Sequence, residues 1–379
     1  MRIILNEIKK IFSLKMIVLL ILITVTMFFV FDIVFHIKYF PNGRPALDIY
    51  NIGVEMVENY GEYMDEDEFE HFKSRYDELV KEADEYIQSR DDFIELGITT
   101  YEEFENKDRD NEELDKLNSK VLFEEKVDLF WELPMRKYYM GIYEKKEELM
   151  RTKDWTEKQK ERVEELISKG SETSTLPEVV FQNYNDIVKP SLALILISII
   201  FMLSPIYIRD NLNGMNYLQY SSKAGRRLFK RKIAAGLLSA FIITTIQLAA
   251  FFALYSLNNV SMFYDCNINS VFNALISWYD ITFRQYIALT VMGIYILSFV
   301  TALISMFISS IGKSYIAVIG MLLPLTLFLI IVLLGNLIID MTAIWKSELF
   351  LPISYLALTL IGIVIMSIRW KKERVLDIV

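Results

Sequence analysis

Cysteine, histidine, glycine and proline are all scarce in this chain of 379 residues. Its single cysteine, Cys266, excludes an intramolecular disulfide framework and any CxxC zinc or redox motif. Its two histidines, His36 and His71, leave little for a histidine-based metal site or a Ser-His-Asp triad. The 14 glycines and 8 prolines are too few for a collagen-like or low-complexity chain.

Charge is unevenly distributed along the chain, although its formal net value is only −9. Residues 36–189 contain 40 Asp and Glu against 22 Lys and Arg, a net charge of −18. The remaining residues therefore carry +9, and long apolar runs raise the mean hydropathy of the whole chain to +0.29. Such segregation of acid, base and apolar runs is typical of a membrane protein with two different faces.

Six segments are apolar and long enough to cross a hydrocarbon layer about 30 Å thick, which takes roughly 20 helical residues. They are residues 16–35, 190–208, 233–257, 285–311, 314–339 and 350–368. The first follows lysines, as a secretory signal does, but it is too long for a signal core and lacks a small-x-small cleavage site. We therefore expect an all-α membrane protein with six transmembrane helices, the first of them uncleaved.

Basic residues mark one face of the membrane at the chain ends and in two short loops. These residues are Arg2, Lys9, Lys10, Lys15, Arg209, Lys223, Arg226, Arg227, Lys230, Arg231, Lys232, Lys313, Arg369, Lys371, Lys372 and Arg374. The loops on the other face, residues 258–284 and 340–349, contain only two basic residues, Arg284 and Lys346. The pattern predicts that both termini are cytoplasmic and that the acidic residues 37–188 are extracytoplasmic.

The acidic block carries helix signals and few strand signals. An apolar stripe at spacings of three and four predicts one helix face: Phe69, Phe72, Tyr76, Leu79, Ala83 and Tyr86. A second apolar set follows the capping signal at Thr99 and Thr100: Leu114, Leu117, Val121, Val127, Phe130 and Trp131. Gly97, Pro134 and Gly170 are expected to end helices, and the acidic run 65–68 to begin one. We expect a helical hairpin or small bundle whose acidity either keeps it soluble or attracts cationic cargo.

Motifs for independent catalysis or energy supply are weak. Gly312-Lys313-Ser314 resembles the end of a phosphate-binding loop, but Phe307 occupies the position of its first glycine, so we predict a short turn. Asp32, at the outer end of the first span, is the one acidic residue inside a span. No catalytic cluster of His, Asp and Glu lies at a span end, which disfavours a membrane enzyme. Gln247 predicts an interhelical hydrogen bond and Pro324 a kink.

Two amphipathic pieces lie on the predicted cytoplasmic face. In residues 2–15 the apolar side chains, mostly isoleucines, oppose Asn6, Glu7, Lys9 and Lys10. This pattern predicts either an interfacial helix or simply the basic flank of span one. The second piece is the loop 209–232, where basic residues surround an apolar and aromatic stretch that charge anchoring does not require.

The order of residues in this loop carries a resemblance. Asp210 is followed by Gly214 and Leu218, then by Gly225-Arg226-Arg227, and Lys232 opens the third span. The arrangement resembles the cytoplasmic loop of ABC-2 type transporter permeases, which also have six spans and an amphipathic N-terminal helix. Two departures are Asp210, where glutamate is usual, and the large external block between the first two spans.

The resemblance implies the permease subunit of a bacterial ATP-binding cassette exporter, multi-pass in the cell membrane and without a nucleic-acid partner. A cytoplasmic subunit would bind ATP and Mg, so this chain would hold no cofactor, and a second permease subunit, identical or related, would complete the transporter. The residues implied in docking are Asp210, Gly214, Met215, Tyr217, Leu218, Tyr220, Gly225, Arg226 and Arg227.

Cargo remains open between peptide, lipid and toxic compound, and an alternative is a related membrane receptor or secretion accessory without an ATPase partner. The expected division of the chain is residues 1–36 for the interfacial helix and span one, 37–188 for the external domain, and 189–379 for spans two to six with the coupling loop 209–232.

The orientation can be tested by cysteine labelling of intact cells. A cysteine introduced near Gly170 is expected to react with a membrane-impermeant maleimide, because it should be external. One introduced near Lys223 is expected to react only after the cells are opened. Labelling of the two positions in the opposite order would show that the predicted orientation is inverted.

Overall fold

The computed structural model describes residues 2–30, 33–107, 110–151, 154–215, 225 and 227–375. Across these ranges the chain is helical and contains no β-strand, only isolated bridges between Tyr63 and Ser174 and between Asn267 and Thr282. The α-helices are α1 (Arg2–Ile11), α2 (Leu14–Val30), α3 (Ile33–Lys38), α4 (Ala46–Tyr60), α5 (Glu66–Gln88), α6 (Asp91–Glu95), α7 (Tyr101–Glu105), α8 (Glu112–Ser119), α9 (Leu129–Glu144), α10 (Lys146–Arg151), α11 (Glu157–Lys169), α12 (Glu178–Leu203), α13 (Pro205–Leu212), α14 (Arg227–Tyr255), α15 (Phe283–Ile311), α16 (Tyr315–Phe328), α17 (Leu334–Leu337) and α18 (Phe350–Val375).

Five helical stretches in the described ranges are long and apolar enough to span a membrane. They are Glu178–Leu212, Arg227–Asn258, Phe283–Ile311, Tyr315–Leu337 and Phe350–Glu373. A sixth span forms if α1 and α2 count as one, although the chain bends by 50° between them. The prediction of an all-α, multi-pass membrane protein is therefore confirmed, with five spans or six according to how the bent pair is counted.

The bend separates a short amphipathic helix from a fully apolar one. Helix α1 buries Glu7 and Ile11, whereas α2 buries none of its side chains. An apolar helix with no fully buried side chain is suited to contact with lipid, because lipid tails are as apolar as its own side chains. The predicted N-terminal helix is thus present as a separate element.

The chain divides into two compact units. The membrane unit comprises Met1–Lys38, Tyr184–Asn259 and Gln285–Val379, and the acidic unit comprises Tyr39–Asn183 and Val260–Arg284. The boundary after Asn183 falls inside α12, which therefore begins well before the expected start of span two at residue 190. Pro190 lies within this helix, where a spanning helix tolerates proline because neighbouring groups satisfy the freed carbonyl.

Apolar packing in the acidic unit follows the predicted stripe on α5, but divides it between two clusters. Leu79 and Ala83 pack in one cluster with Leu114, Leu117 and Val121 of the second apolar set. Phe69 and Phe72 belong instead to a second cluster with aromatic side chains of α9. In that cluster the Phe69 and Tyr143 rings stack with their centroids 4.2 Å apart.

Local capping signals position the helices of the acidic unit. Asp65 and Glu68 form a reciprocal capping box at the start of α5, and Thr100 and Glu103 form another at the start of α7. Gly170 ends α11 in the left-handed conformation with φ +70°, as expected of a C-terminal glycine. Pro134 does not end a helix: it lies inside α9, which is held in the core by buried side chains before Pro134 (Phe130 and Leu133) and after it (Tyr139 and Tyr143).

Residues 260–284 form part of the acidic unit, although the sequence suggested only a short loop. The Phe272 ring packs with its centroid 4.7 Å from that of Tyr139. The backbone N–H of Asn267 donates to Ser174 Oγ at 2.8 Å, and Ser270 Oγ donates to the Ser174 carbonyl at 2.5 Å. The unit so formed has 41 acidic and 21 basic residues, a net charge of −20.

The substitution Leu79→Ala tests whether the α5 stripe is core or binding surface. Leu79 is buried, so its truncation is expected to lower the free energy of unfolding by about 2–4 kcal/mol. Lys81→Ala, on the exposed side of the same helix, is the control and should stay within about 0.5 kcal/mol. Thermal unfolding of the full chain in mild detergent measures both, and equal effects would show that Leu79 is not in the core.

Candidate functional site

The loop 209–232 is flanked by two helices whose ends meet in the membrane unit. Helix α12 ends at Leu203 and α13 begins at Pro205. Proline is favoured as the first residue of a helix, because an N–H at that position would have no acceptor within the helix. The freed N–H groups of Tyr207 and Ile208 both donate to Ser309 Oγ on α15, at 3.1 and 3.2 Å. One hydroxyl thus supports the break between α12 and α13.

A buried ion pair joins the two ends of the loop. Asp210 on α13 is 5% exposed and Lys232 on α14 is 2% exposed, and Lys232 Nζ donates to Asp210 Oδ2 at 2.5 Å. The same ammonium donates to the Ile206 carbonyl at 3.2 Å. A buried charge is tolerated when it is paired and hydrogen-bonded, as both groups are here.

The N-terminal helix contributes the remaining charges of this site. Lys10 Nζ lies 2.7 Å from Glu7 Oε1 and 3.7 Å from Asp210 Oδ2. We refer to Glu7, Lys10, Asp210 and Lys232 as the Asp210 cluster; its two carboxylates and two ammonium groups balance in charge. The cluster connects α1, α13 and α14, and α1 also packs along α14.

An aromatic contact reinforces the connection between α13 and α14. The Tyr207 hydroxyl donates to the Phe229 carbonyl at 3.0 Å, and the centroids of the two rings are 4.8 Å apart. Lys232 Nζ lies 5.2 Å from the centroid of the Tyr207 ring. The ammonium therefore has an aromatic face beside its carboxylate partner.

A second polar contact lies near the end of α18. Arg369 donates through Nε to Ser310 Oγ and through Nη2 to the Ser310 carbonyl, both at 3.0 Å, and pairs with Glu373 at 3.0 Å. Lys230 Nζ sits 3.8 Å from the centroid of the Trp370 ring. These contacts link α14, α15 and α18.

The docking residues implied by the sequence are only partly brought together. Asp210 is buried in the cluster, whereas Met215 is 40% exposed and Arg227 is exposed at the start of α14. Gly214 and Gly225 have φ of +65° and +49°, in the left-handed region that glycine adopts at low cost. Tyr217, Leu218, Tyr220 and Arg226 lie outside the described residues, as does Asp32.

Sequence reasoning missed the role of α1 in this site. Glu7 was assigned to the polar face of an interfacial helix, yet it is 5% exposed. The available signal was that Glu7 is the only acidic residue in the first 31. A single acidic residue among basic ones can indicate a buried ion pair. Helical periodicity, however, does not identify the basic residue with which it pairs.

Polar groups inside the other spans have structural roles. Gln247 Nε2 on α14 donates to Ser198 Oγ on α12 at 2.9 Å, so the interhelical hydrogen bond predicted for Gln247 is confirmed. Ser314 caps α16, consistent with a short turn at Gly312-Lys313-Ser314. Pro324 lies within α16, and the chain passes into a π-helical turn at Leu329–Leu333 soon after it.

No protein-family model, curated protein or solved structure matches this chain. Within the described residues there is also no group of three or more His, Cys, Asp and Glu side chains placed to hold a metal ion. Functional inference therefore depends on the geometry of the helices and on the loop that joins them.

A double-mutant cycle tests the buried pair. Lys232→Met leaves Asp210 buried without its nearest cation and is expected to cost about 3–5 kcal/mol of unfolding free energy. Combining it with Asp210→Asn removes both charges and should recover most of that loss, as measured by thermal unfolding in detergent. Lys9→Met, an exposed lysine of α1, is the control. Strictly additive effects of the two substitutions would show that the charges are not coupled.

Proposed function

We propose that this chain is the permease subunit of a bacterial ATP-binding cassette exporter. In this proposal the loop 209–232 docks on a separate ATP-binding subunit, which supplies ATP hydrolysis with Mg. The observation that carries the proposal is the Asp210 cluster, which attaches both ends of the loop to helices of the membrane unit. The likeness of the loop to that of ABC-2 type permeases supports the same role.

The cluster suits a loop that transmits force. A load on the loop would act on α13 and α14 together, because separating them would leave the two charges of a buried ion pair without their partners. Helix α1 would follow through Lys10, which contacts the same carboxylate. The helices would then move as a group, as alternating access requires of a permease.

The proposed orientation places both termini and the loop in the cytoplasm and residues 37–188 outside. Residues 39–183 and 260–284 form one compact unit, which agrees with the charge pattern that assigned both segments to the same face. A second permease subunit, identical or related, completes the transporter in the cell membrane. Amphipathic cargo such as a peptide, lipid or toxic compound moves outward.

A second candidate function is a receptor or secretion accessory that has no ATPase partner. The size of the acidic unit and its net charge of −20 favour this alternative, because a permease needs no such unit for transport alone. The neighbouring reading frames distinguish the two functions. An adjacent frame encoding an ATP-binding subunit with its phosphate-binding loop favours the exporter, and its absence favours the receptor.

Docking can be tested with the ATP-binding subunit from such a frame. Arg226→Lys keeps the charge but removes the planar fork, so complex affinity and cargo-stimulated ATPase activity are expected to fall about tenfold. Leu218→Asp should act more strongly, because it buries an unpaired charge in the contact. Membrane insertion should be unchanged in both variants.

The matched control for this test is Arg231→Lys, the same change in the described part of the basic run, inside α14. It should leave assembly and ATPase activity within about twofold of the parent, since Arg231 is not among the residues implied in docking. If Arg226→Lys and Leu218→Asp also assemble and hydrolyse ATP like the parent, the loop only anchors the chain and the docking role is wrong.

A further inference from the structure

A cavity of about 300 Å³ lies in the membrane unit, among residues of α2, α3, α12 and α14. We refer to it as the α2 crevice. Its wall includes Val25 and Phe29 on α2, and Ala250 and Leu254 on α14. None of the described residues that line it is charged. The crevice is therefore an apolar space between helices that are suited to a hydrocarbon layer.

Two amide side chains tie α2 and α3 to the helix on the other side of the crevice. Gln247 Nε2 donates to Thr24 Oγ1 on α2 at 3.4 Å. Asn258 Nδ2, just beyond the end of α14, donates to the His36 carbonyl on α3 at 3.3 Å. Gln247 and Asn258 are 11 residues apart, which is about three helical turns, so they lie on the same side of the helix. The two hydrogen bonds thus set the separation of the helices at two levels.

The side chains between these two levels do not close the gap. Ala250 and Leu254 follow Gln247 at spacings of three and four, so they lie on the same side of α14 as the two amides. Ala250 is small and remains exposed. On the facing helix, Val25 is 50% exposed and Phe29 is 66% exposed. The walls therefore offer accessible apolar surface, unlike side chains that are fully buried in a core.

The size and chemistry of the crevice favour a hydrocarbon occupant over water. A cavity of roughly 150 Å³ lined by Leu, Ile and Phe stays dry and binds benzene, and the α2 crevice is about twice as large. An occupant of apolar chemistry gains the dispersion contacts that an empty space lacks. Helix α2 has no fully buried side chain, so lipid acyl chains are the groups next to the crevice.

We propose that the α2 crevice binds an acyl chain of a membrane phospholipid. The acyl chain packs on Val25 and Phe29 on one side and on Ala250 and Leu254 on the other. It fills the space that the two amide hydrogen bonds leave open, and so joins α2 to the other spanning helices. This site goes beyond the proposed transport function and does not depend on it, because the lipid comes from the bilayer and no ATP-binding subunit is needed.

The experiment uses the full-length protein in nanodiscs of phosphatidylcholine, part of which carries a diazirine on its acyl chain. The protein is moved into detergent, washed and then irradiated, and the labelled residues are identified by mass spectrometry of its peptides. Label is expected to remain at residues 25–29 and 250–254, because a lipid held between helices dissociates slowly. Ile316 and Ile319 on α16 are 83% and 62% exposed, so lipid on that open surface should be washed away.

Two substitutions fill the crevice from opposite walls. Ala250→Phe and Val25→Phe each add a ring to the space, so the retained label is expected to fall about fivefold in both variants. The matched control is Ala253→Phe, the same change at an exposed position of α14 that does not line the crevice. Its retained label should stay within about twofold of the parent. Thermal unfolding in detergent identifies any variant that does not fold.

Three results would overturn the site. The first is equal loss or equal retention of label at the crevice and at α16. The second is unchanged label in folded Ala250→Phe and Val25→Phe. The third is crosslinking of these residues to a second copy of the chain in place of lipid. The assay contains neither cargo nor an ATP-binding subunit, so its failure leaves the docking test unaffected.

Discussion

The ion pair between Lys232 and Asp210 is the interaction on which the arrangement of the spanning helices around the loop depends. Both groups are almost completely buried, and each would be strongly unfavourable there without the other. Apolar contacts between spans are weakly specific, because lipid tails satisfy the same side chains equally well. A buried pair instead selects one partner, so it determines which helix ends meet.

The consequences of this pair extend to neighbouring elements. Asp210 also faces Lys10, which pairs with Glu7, so α1 is placed beside α13 and α14 rather than lying free. The break between α12 and α13 sits next to the pair, and Ser309 accepts from the N–H groups that the break exposes. Helix α13, which leads into the loop, therefore makes specific polar contacts with α1, α14 and α15.

The acidic unit must stay compact although its net charge of −20 causes repulsion between its acidic residues. Arginines at the edge of its core reduce this repulsion by forming ion pairs with carboxylates. Arg136, 2% exposed, pairs with Glu132 at 2.6 Å and also with Glu55. Arg90 pairs with Asp92 at 2.6 Å, and this guanidinium holds the pKa of the Asp92 carboxyl well below its usual range. The other acidic residues largely face solvent, where their repulsion is screened.

The sequence by itself determined the helical, membrane-spanning character of the chain and many helix ends. Apolar runs, the stripe containing Leu79 and the caps at Asp65 and Thr100 depend on residues within a few positions of one another, so local rules predict them. Only the tertiary structure decided that Lys232 pairs with Asp210, that Glu7 is buried, and that Phe272 belongs to the core beside Tyr139. The reason is physical: these contacts join residues far apart in the chain, and periodicity shows which side of a helix is apolar but not which distant side chain meets it.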